Sequence, residues 1–173
     1  ADGLSTRINR FFSSLNEFAA NVESIPIRSN VVTEATALSQ ALNDTAERFR
    51  TLRTNANKEI INFVPEINSL ADRIAKLNTQ ISGSELGGSV SNDLRDDRNV
   101  LLDQLAKIIH ITTSERDGGK IDVLASGGVL VDGDFSNEIE AVPMASLDPE
   151  RNDLVEVRFV GNGQLLDVQD GEL

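Results

Sequence analysis

At the start of the chain, apolar residues fall at Leu4, Ile8, Phe11, Leu15, Phe18 and Val22, in alternating steps of 4 and 3. That alternation holds one stripe on one side of a helix that packs against other helices. Phe12 and Ala19 widen the stripe to the width a bundle needs. In "ESIPIRS", Ser24 precedes Ile25 and Pro26, so the first helix stops there. A second can open at the same place, because proline is tolerated in a first helical turn.

The second stripe runs through Ala35, Leu38, Leu42, Phe49, Leu52, Ala56, Ile60, Phe63, Ile67, Leu70, Ile74, Leu77 and Ile81, with Thr45 or Ala46 before Phe49. It predicts one very long helix from about Ile27 to Ser82, roughly 80 Å at the usual rise. Two successive steps of four at Leu52, Ala56 and Ile60 form a stutter, which locally unwinds a left-handed supercoil. Pro65 removes one helical hydrogen bond and predicts a kink near Ile61 to Pro65. The stripe keeps its phase across Pro65, so the reading is one bent helix rather than two.

The glycine- and serine-rich "SGSELGGSVSN" breaks this helix. In "NDLRDDRNVLLDQLAK" that follows, Leu94, Leu101, Leu105 and Ile108 again share one stripe, with Val100, Leu102 and Ile109 beside it. A third helix, antiparallel to the second, is predicted, with Ser91 or Asn92 as its cap. Asp93 and Asp96 fall in its first turn, where the helix dipole favours anions.

After "IIHITTSE" the period changes to two. Short alternating runs appear at Ile121/Val123, Val129/Val131, Ile139/Val142, Val155/Val157/Phe159 and Leu166/Val168. "DGG" at Asp117–Gly119 and "GNG" at Gly161–Gly163 are hairpin signals. The predicted class is α+β: an elongated antiparallel helical bundle with one very long kinked helix, followed by a small antiparallel β region. Residues 1–110 form the helical part and 111–173 an acidic β part. About sixty residues bury little core unaided, so the β part reads as incomplete.

Charge sharpens this division. The net charge is −12, and residues 1–82 carry nine Lys/Arg and nine Asp/Glu. Residues 83–173 carry seven Lys/Arg against nineteen Asp/Glu, so the whole excess lies there. Such a half repels phosphate backbones and anionic lipid surfaces, which argues against nucleic-acid and membrane partners. No apolar run reaches the roughly 18–20 residues of a membrane span, and "ADGLSTRINRFF" lacks signal-peptide order. The absence of cysteine excludes disulfides, thiolate metal sites and thiol nucleophiles. Because the chain starts without Met, it reads as an internal fragment.

Three stretches invite a chemical reading. Asp93, Asp96 and Asp97 share a helix face and could approach one divalent ion, as a metal-dependent hydrolase requires. Helical metal sites usually draw His or Glu from several helices, however, and Arg95 and Arg98 compete for the same carboxylates. A solvated face with outward-pairing arginines explains more. His110, the one histidine, stands in "KIIHIT" without a triad partner and reads as structural. "DGDFSNE" (Asp132–Glu138) starts like a calcium loop. Asn137 replaces the required glycine and Pro143 stands where the closing Glu belongs, so that match fails. "SGG" and "ELGG" lack the lysine of a phosphate loop. Asn43-Asp44-Thr45 is a formal glycosylation sequon within a helix. The reading is therefore no enzyme, with no catalytic, cofactor-binding or metal residues and no cofactor.

The order of parts carries more than any motif. "INRFFSSLNEFAAN", a short proline-containing break, a very long helix ending "EINSLADRIAKLNTQI", a glycine-rich turn and "NDLRDDRNVLLDQLAKIIHITTSERDGGKIDVLASGGVLVDG" together resemble the flagellar hook-associated protein 1 family, the first junction protein between hook and filament. Ala106 stands where that family commonly has serine. The resemblance implies a rod-like helical domain and an outer β domain from the middle of a larger subunit without catalytic residues. It further implies export through the flagellar secretion channel and an extracellular place at the distal end of the hook. Ring self-association and contacts with the hook protein and the second hook–filament junction protein go with it. The alternative from another class is a helical-stalk surface adhesin or sensor module binding a soluble ligand. The scarcity of aromatic residues speaks against its pocket.

Overall fold

The N-terminal stripe is realised as helix α1 (Leu4–Ala20), which stops two residues before Val22. This computed structural model describes residues 3–86, 88, 90–125, 127–144 and 154–166. Residues 21–24 turn the chain, and the Ser24 carbonyl accepts the Arg28 N–H. The Arg28 guanidinium donates to the Val22 carbonyl at 2.9 Å, closing the turn. Helix α2 (Ile25–Glu85) then runs for 61 residues, with Pro26 in its first turn and Pro65 inside. It is a single helix across Pro65, as the constant phase of the stripe required.

Helix α3 (Asn92–Ala106) and strands β1 (Ile111–Glu115), β2 (Ile121–Ala125), β3 (Gly128–Asp132), β4 (Phe135–Ser136), β5 (Ile139–Pro143) and β6 (Val155–Phe159) complete the described elements. The architecture is α+β, with one very long helix and small antiparallel sheets. Packing divides the chain into two compact units, Ala1–Thr54 and Asn55–Leu173.

In the first unit, α1 meets the first part of α2 as an antiparallel pair, since Gly3, Leu4 and Arg7 share one cleft with Ala37, Gln40, Ala41, Asp44, Thr45 and Arg48. Half-buried Leu4, Ile8, Phe11, Leu15 and Phe18 lie in this unit with half-buried Ile27, Val31, Glu34, Leu38, Ala41 and Thr45. The α2 positions again alternate in steps of 4 and 3. The expected stripe is displaced here: Leu42, Phe49 and Leu52 are exposed, as is Phe12 on α1.

In the second unit the buried face of α2 follows Asn57, Ile60, Val64, Ile67, Ala71, Ile74, Asn78 and Ile81, an unbroken alternation of 3 and 4. Reading apolar letters alone placed a stutter at Leu52, Ala56 and Ile60. Leu52 and Ala56 are exposed, and Asn57 takes the seam position instead. Helix α3 runs antiparallel to α2, as contacts from Glu85 to Arg95 and from Asn78 to Arg98 progress in opposite directions. The core gathers Val64, Ile67, Leu70, Ala71 and Ile74 of α2 with Leu101 and Leu105 of α3 and the inner faces of both sheets. Each fully buried Ile or Leu contributes roughly 1.5–3 kcal/mol.

Strands β1 to β4 form an antiparallel meander, and β5 pairs with β6 in a second sheet. The "DGG" turn joins β1 to β2, as expected. "GNG" returns the chain after β6, where Leu165 bridges to Arg158. Val168 lies outside the described residues. The register shifts between Val123 and Leu124, so Val123 faces Val131 while Leu124 faces Val129. A Cβ on Gly128 would stand 2.5 Å from the Phe159 ring, so a glycine is needed where the two sheets meet.

Candidate functional site

The acidic cluster of α3 faces solvent. Asp93, Asp96, Asp97 and Asp103 are all exposed. Among the described residues, no group of three or more His, Asp or Glu side chains could hold a metal ion. His110 is exposed in the link between α3 and β1. Within Asp132–Glu138, Gly133 and Asp134 form the tight turn between β3 and β4, and Gly133 has a positive φ of 58°. Its two aspartates are engaged within the protein. Asp132 pairs with Arg116 at 2.7 Å, and Asp134 pairs with Lys120 and accepts from the Thr79 hydroxyl at 3.2 Å. The Lys120 hydrogen bond holds the Asp134 carboxyl below its ordinary range.

The polar groups that do organise the molecule lie on α2. Asn57, Asn68 and Asn78 are separated by 11 and 10 residues, about three helical turns each, and so recur on one face. Each engages a strand backbone. Asn57 Oδ1 accepts the Val155 N–H at 3.3 Å, at the start of β6. Asn68 donates to the Ile139 carbonyl at 2.8 Å and accepts the Ile139 N–H at 3.0 Å. Its amide thus pairs with the first residue of β5 as a neighbouring strand would. Asn78 repeats the device on the first residue of β2, donating to the Ile121 carbonyl at 2.7 Å and accepting its N–H at 3.2 Å. It also donates to the Gly133 carbonyl at 2.6 Å and accepts from Arg98 at 2.8 Å. All four hydrogen-bonding capacities of this fully buried amide are filled.

Arg98 departs from the outward pairing expected of it. It is buried and donates from one nitrogen to both Asn78 and the Gly119 carbonyl, the latter at 2.7 Å. Burial lowers its pKa, chiefly through desolvation of the charge. Ser91, expected to cap α3 with its hydroxyl, makes no such bond, and its N–H is taken by Glu85 Oε1 at 2.9 Å. Glu85 also accepts from Arg95 Nε and Nη2, each at 2.8 Å, while Arg95 Nη1 reaches Glu115 at 3.2 Å. Hydrogen bonding to Arg95 and then to Ser91 lowers the Glu85 carboxyl to about 2.

Asn57, Asn68 and Asn78 are hidden in the sequence because a seam is recognised by its apolar letters, and Arg98 reads there as an outward-pairing arginine. A signal was present in the recurrence of asparagine every three turns on the same face as Ile60, Ile67, Ile74 and Ile81. This arrangement fixes strands onto a helix. Its chemistry is structural.

Comparisons with known proteins agree with that character. The family model "Flagellar hook-associated protein FlgK helical domain" matches residues 1–173. Flagellar hook-associated protein 1 of Salmonella typhimurium is 34% identical over 154 residues, covering 87% of this chain and 28% of that protein. The Bacillus subtilis protein of the same name is 30% identical over 131 residues, covering 75% of this chain and 26% of its own length. The solved structure of the flagellar hook junction protein FlgK from Burkholderia pseudomallei superposes with a TM-score of 0.73 at 25% identity, covering 91% of this chain and 27% of that one. The chain thus spans little more than a quarter of the curated relatives it matches. A match along all of its residues settles the kinship: the chain belongs to the flagellar hook-associated protein FlgK helical-domain family.

Proposed function

We propose that this chain is a structural segment of a bacterial flagellar subunit that joins hook to filament, acting by packing between subunits without catalysis. The observation that carries the reading is the family match over the whole chain. Two features of the molecule support it. The unit Ala1–Thr54 leaves Phe12, Ile25, Val32, Phe49 and Leu52 more than half exposed, an apolar surface suited to further helices or subunits. In the unit Asn55–Leu173, the side chains of Asn68 and Asn78 are spent on holding strands to α2.

On this reading the full-length protein is exported through the flagellar secretion channel and self-associates into a ring outside the cell. It meets the hook protein on one side and the second hook–filament junction protein on the other. The helical part, residues 1–110, supplies packing surfaces. The acidic β part, residues 111–173, keeps the outer surface soluble.

The test is made in the full-length protein in its own bacterium. Replacing Phe49 and Leu52 together by serine is expected to leave secretion intact while filaments detach from hooks and motility falls. Cross-linkers placed at the same positions are expected to capture the protein itself or another flagellar subunit. Normal motility and filament retention after deletion of the whole 173-residue segment would overturn the reading.

A further inference from the structure

We propose that Glu85, beneath the β1–β2 turn, is an acid-released latch: its protonation undocks residues 116–120 from the junction of α2 and α3 while the remaining core stays folded. The argument starts from what one carboxylate holds. Glu85 is the last residue of α2. Its Oε1 accepts the backbone N–H of Ser91, at the entry to α3, and Arg95 Nε, while its Oε2 accepts Arg95 Nη2. Arg95 extends the connection to Glu115 at the end of β1.

The turn lies directly on this pair. Gly119 has a φ of +72°, and a Cβ there would stand 2.5 Å from Glu85 Oε2 and 2.6 Å from Arg95 Nη2. Its carbonyl is held by buried Arg98. The charged groups that face Glu85 are Arg95 and Arg98 from α3, with Glu115 of β1 reached through Arg95.

Every hydrogen bond Glu85 accepts comes from a donor with no acceptor to offer in return: a backbone N–H and two guanidinium nitrogens. A protonated carboxyl would set an O–H against that array, and none of those three groups could accept its hydrogen. It would also cost half-buried Arg95 the closer of its two carboxylate partners, Glu85 at 2.8 Å against Glu115 at 3.2 Å. The carboxylate form is accordingly favoured in the folded protein, with the pKa lowered from 4.5 to about 2. The folded pKa lies below the unfolded one, so the stabilisation is complete above pH 4.5 and disappears as pH falls toward 2. Opening stays local because the hairpin has attachments of its own. Arg116 pairs with Asp122 and Asp132 on β2 and β3, and the Arg116 N–H bonds the Lys120 carbonyl.

The experiment is a pH titration followed by two-dimensional 1H–15N NMR. The resonances of Ser91, Gly118, Gly119 and Arg95 Nε–H are expected to move together between pH 4.5 and 2, ahead of those of Ile74, Val123 and Leu130. E85Q is expected to show the acid pattern already at neutral pH and to lose the transition. G119A should reach the same pattern by collision, whereas in G118A, whose Cβ would meet only the Ser82 hydroxyl at 3.3 Å, Arg95 should keep its place. The latch is refuted if E85Q keeps the docked pattern, or if G118A and G119A displace Arg95 Nε–H equally. Should E85Q not fold, the two glycine variants decide alone.

Discussion

Asn78 and Arg98 touch each other in the interior, yet removing them is expected to have unequal consequences. Asn78 fills four hydrogen bonds with no solvent contact, so Asn78→Ala strands the Ile121 N–H and the carbonyls of Ile121 and Gly133 together. Each buried group left unsatisfied costs about 1–3 kcal/mol, and the sum here is expected to reach about 3–5 kcal/mol. Asn68→Ala breaks only the pair with Ile139 at a half-buried position, for an expected loss of about 1–2 kcal/mol. Arg98→Met takes the donor from the Gly119 carbonyl but also removes a charge disfavoured by desolvation, so its net cost is expected to be smaller, about 1–2 kcal/mol. Urea unfolding of the three variants orders them. If Arg98→Met proves costlier than Asn78→Ala, the ion and not the amide is the centre of this network. None of this ranking was visible in the sequence. Asparagine counts as a surface letter until its backbone partners are known, and Arg98 looked like one of a pair of outward arginines.

At the scale of elements, helix α3 offers the sharpest contrast between neighbours. Val100 and Leu101 are adjacent and similarly apolar, but Leu101 is 3% exposed and Val100 55%. Leu101→Ala is expected to cost about 2–5 kcal/mol through lost burial and the cavity left behind. Val100→Ala should stay within about 0.5 kcal/mol. Thermal unfolding of both variants checks this, and equal losses would mean that α3 packs on another face. Helices α1, α2 and α3 were legible because each repeats its apolar letters at a helical period over several turns. The hairpin at Asp117–Gly119 was legible because its glycines announce positive φ, at 75° and 72° for Gly118 and Gly119. The β3–β4 turn is harder to see, because the Asp-Gly of a tight turn stands at the head of "DGDFSNE", which also starts like an ion loop. The face of α2 was misplaced around Leu52 because a seam can pass through Asn57 while an exposed leucine stands one turn earlier. The docking of the two sheets was beyond reach. It rests on a close approach of Gly128 to Phe159 and on a register shift at Val123/Leu124, neither of which has a periodic signature.

For the molecule as a whole, the balance of charge sets how salt acts on stability. Residues 83–173 carry nineteen acidic and seven basic side chains. Among the described residues, Arg95, Arg116, Lys120 and Arg158 are engaged with Glu85, Asp122, Asp134 and Glu140, among other partners, and the acids of this half outnumber its bases by twelve. Two effects oppose each other when salt is added. Screening weakens the exposed pairs, each worth about 0–1 kcal/mol. It also weakens repulsion among the excess carboxylates, which act over about 10 Å at 0.1 M ionic strength and over longer distances in dilute buffer. The pairs that matter most here are short and partly shielded by their neighbours. The repulsion is spread over many exposed groups, so it is the more readily screened. The melting temperature of the unit Asn55–Leu173 is therefore expected to rise as sodium chloride is increased at neutral pH. A melting temperature that falls with salt at neutral pH would show that the ion pairs, and not the acidic excess, dominate the electrostatics of the β part.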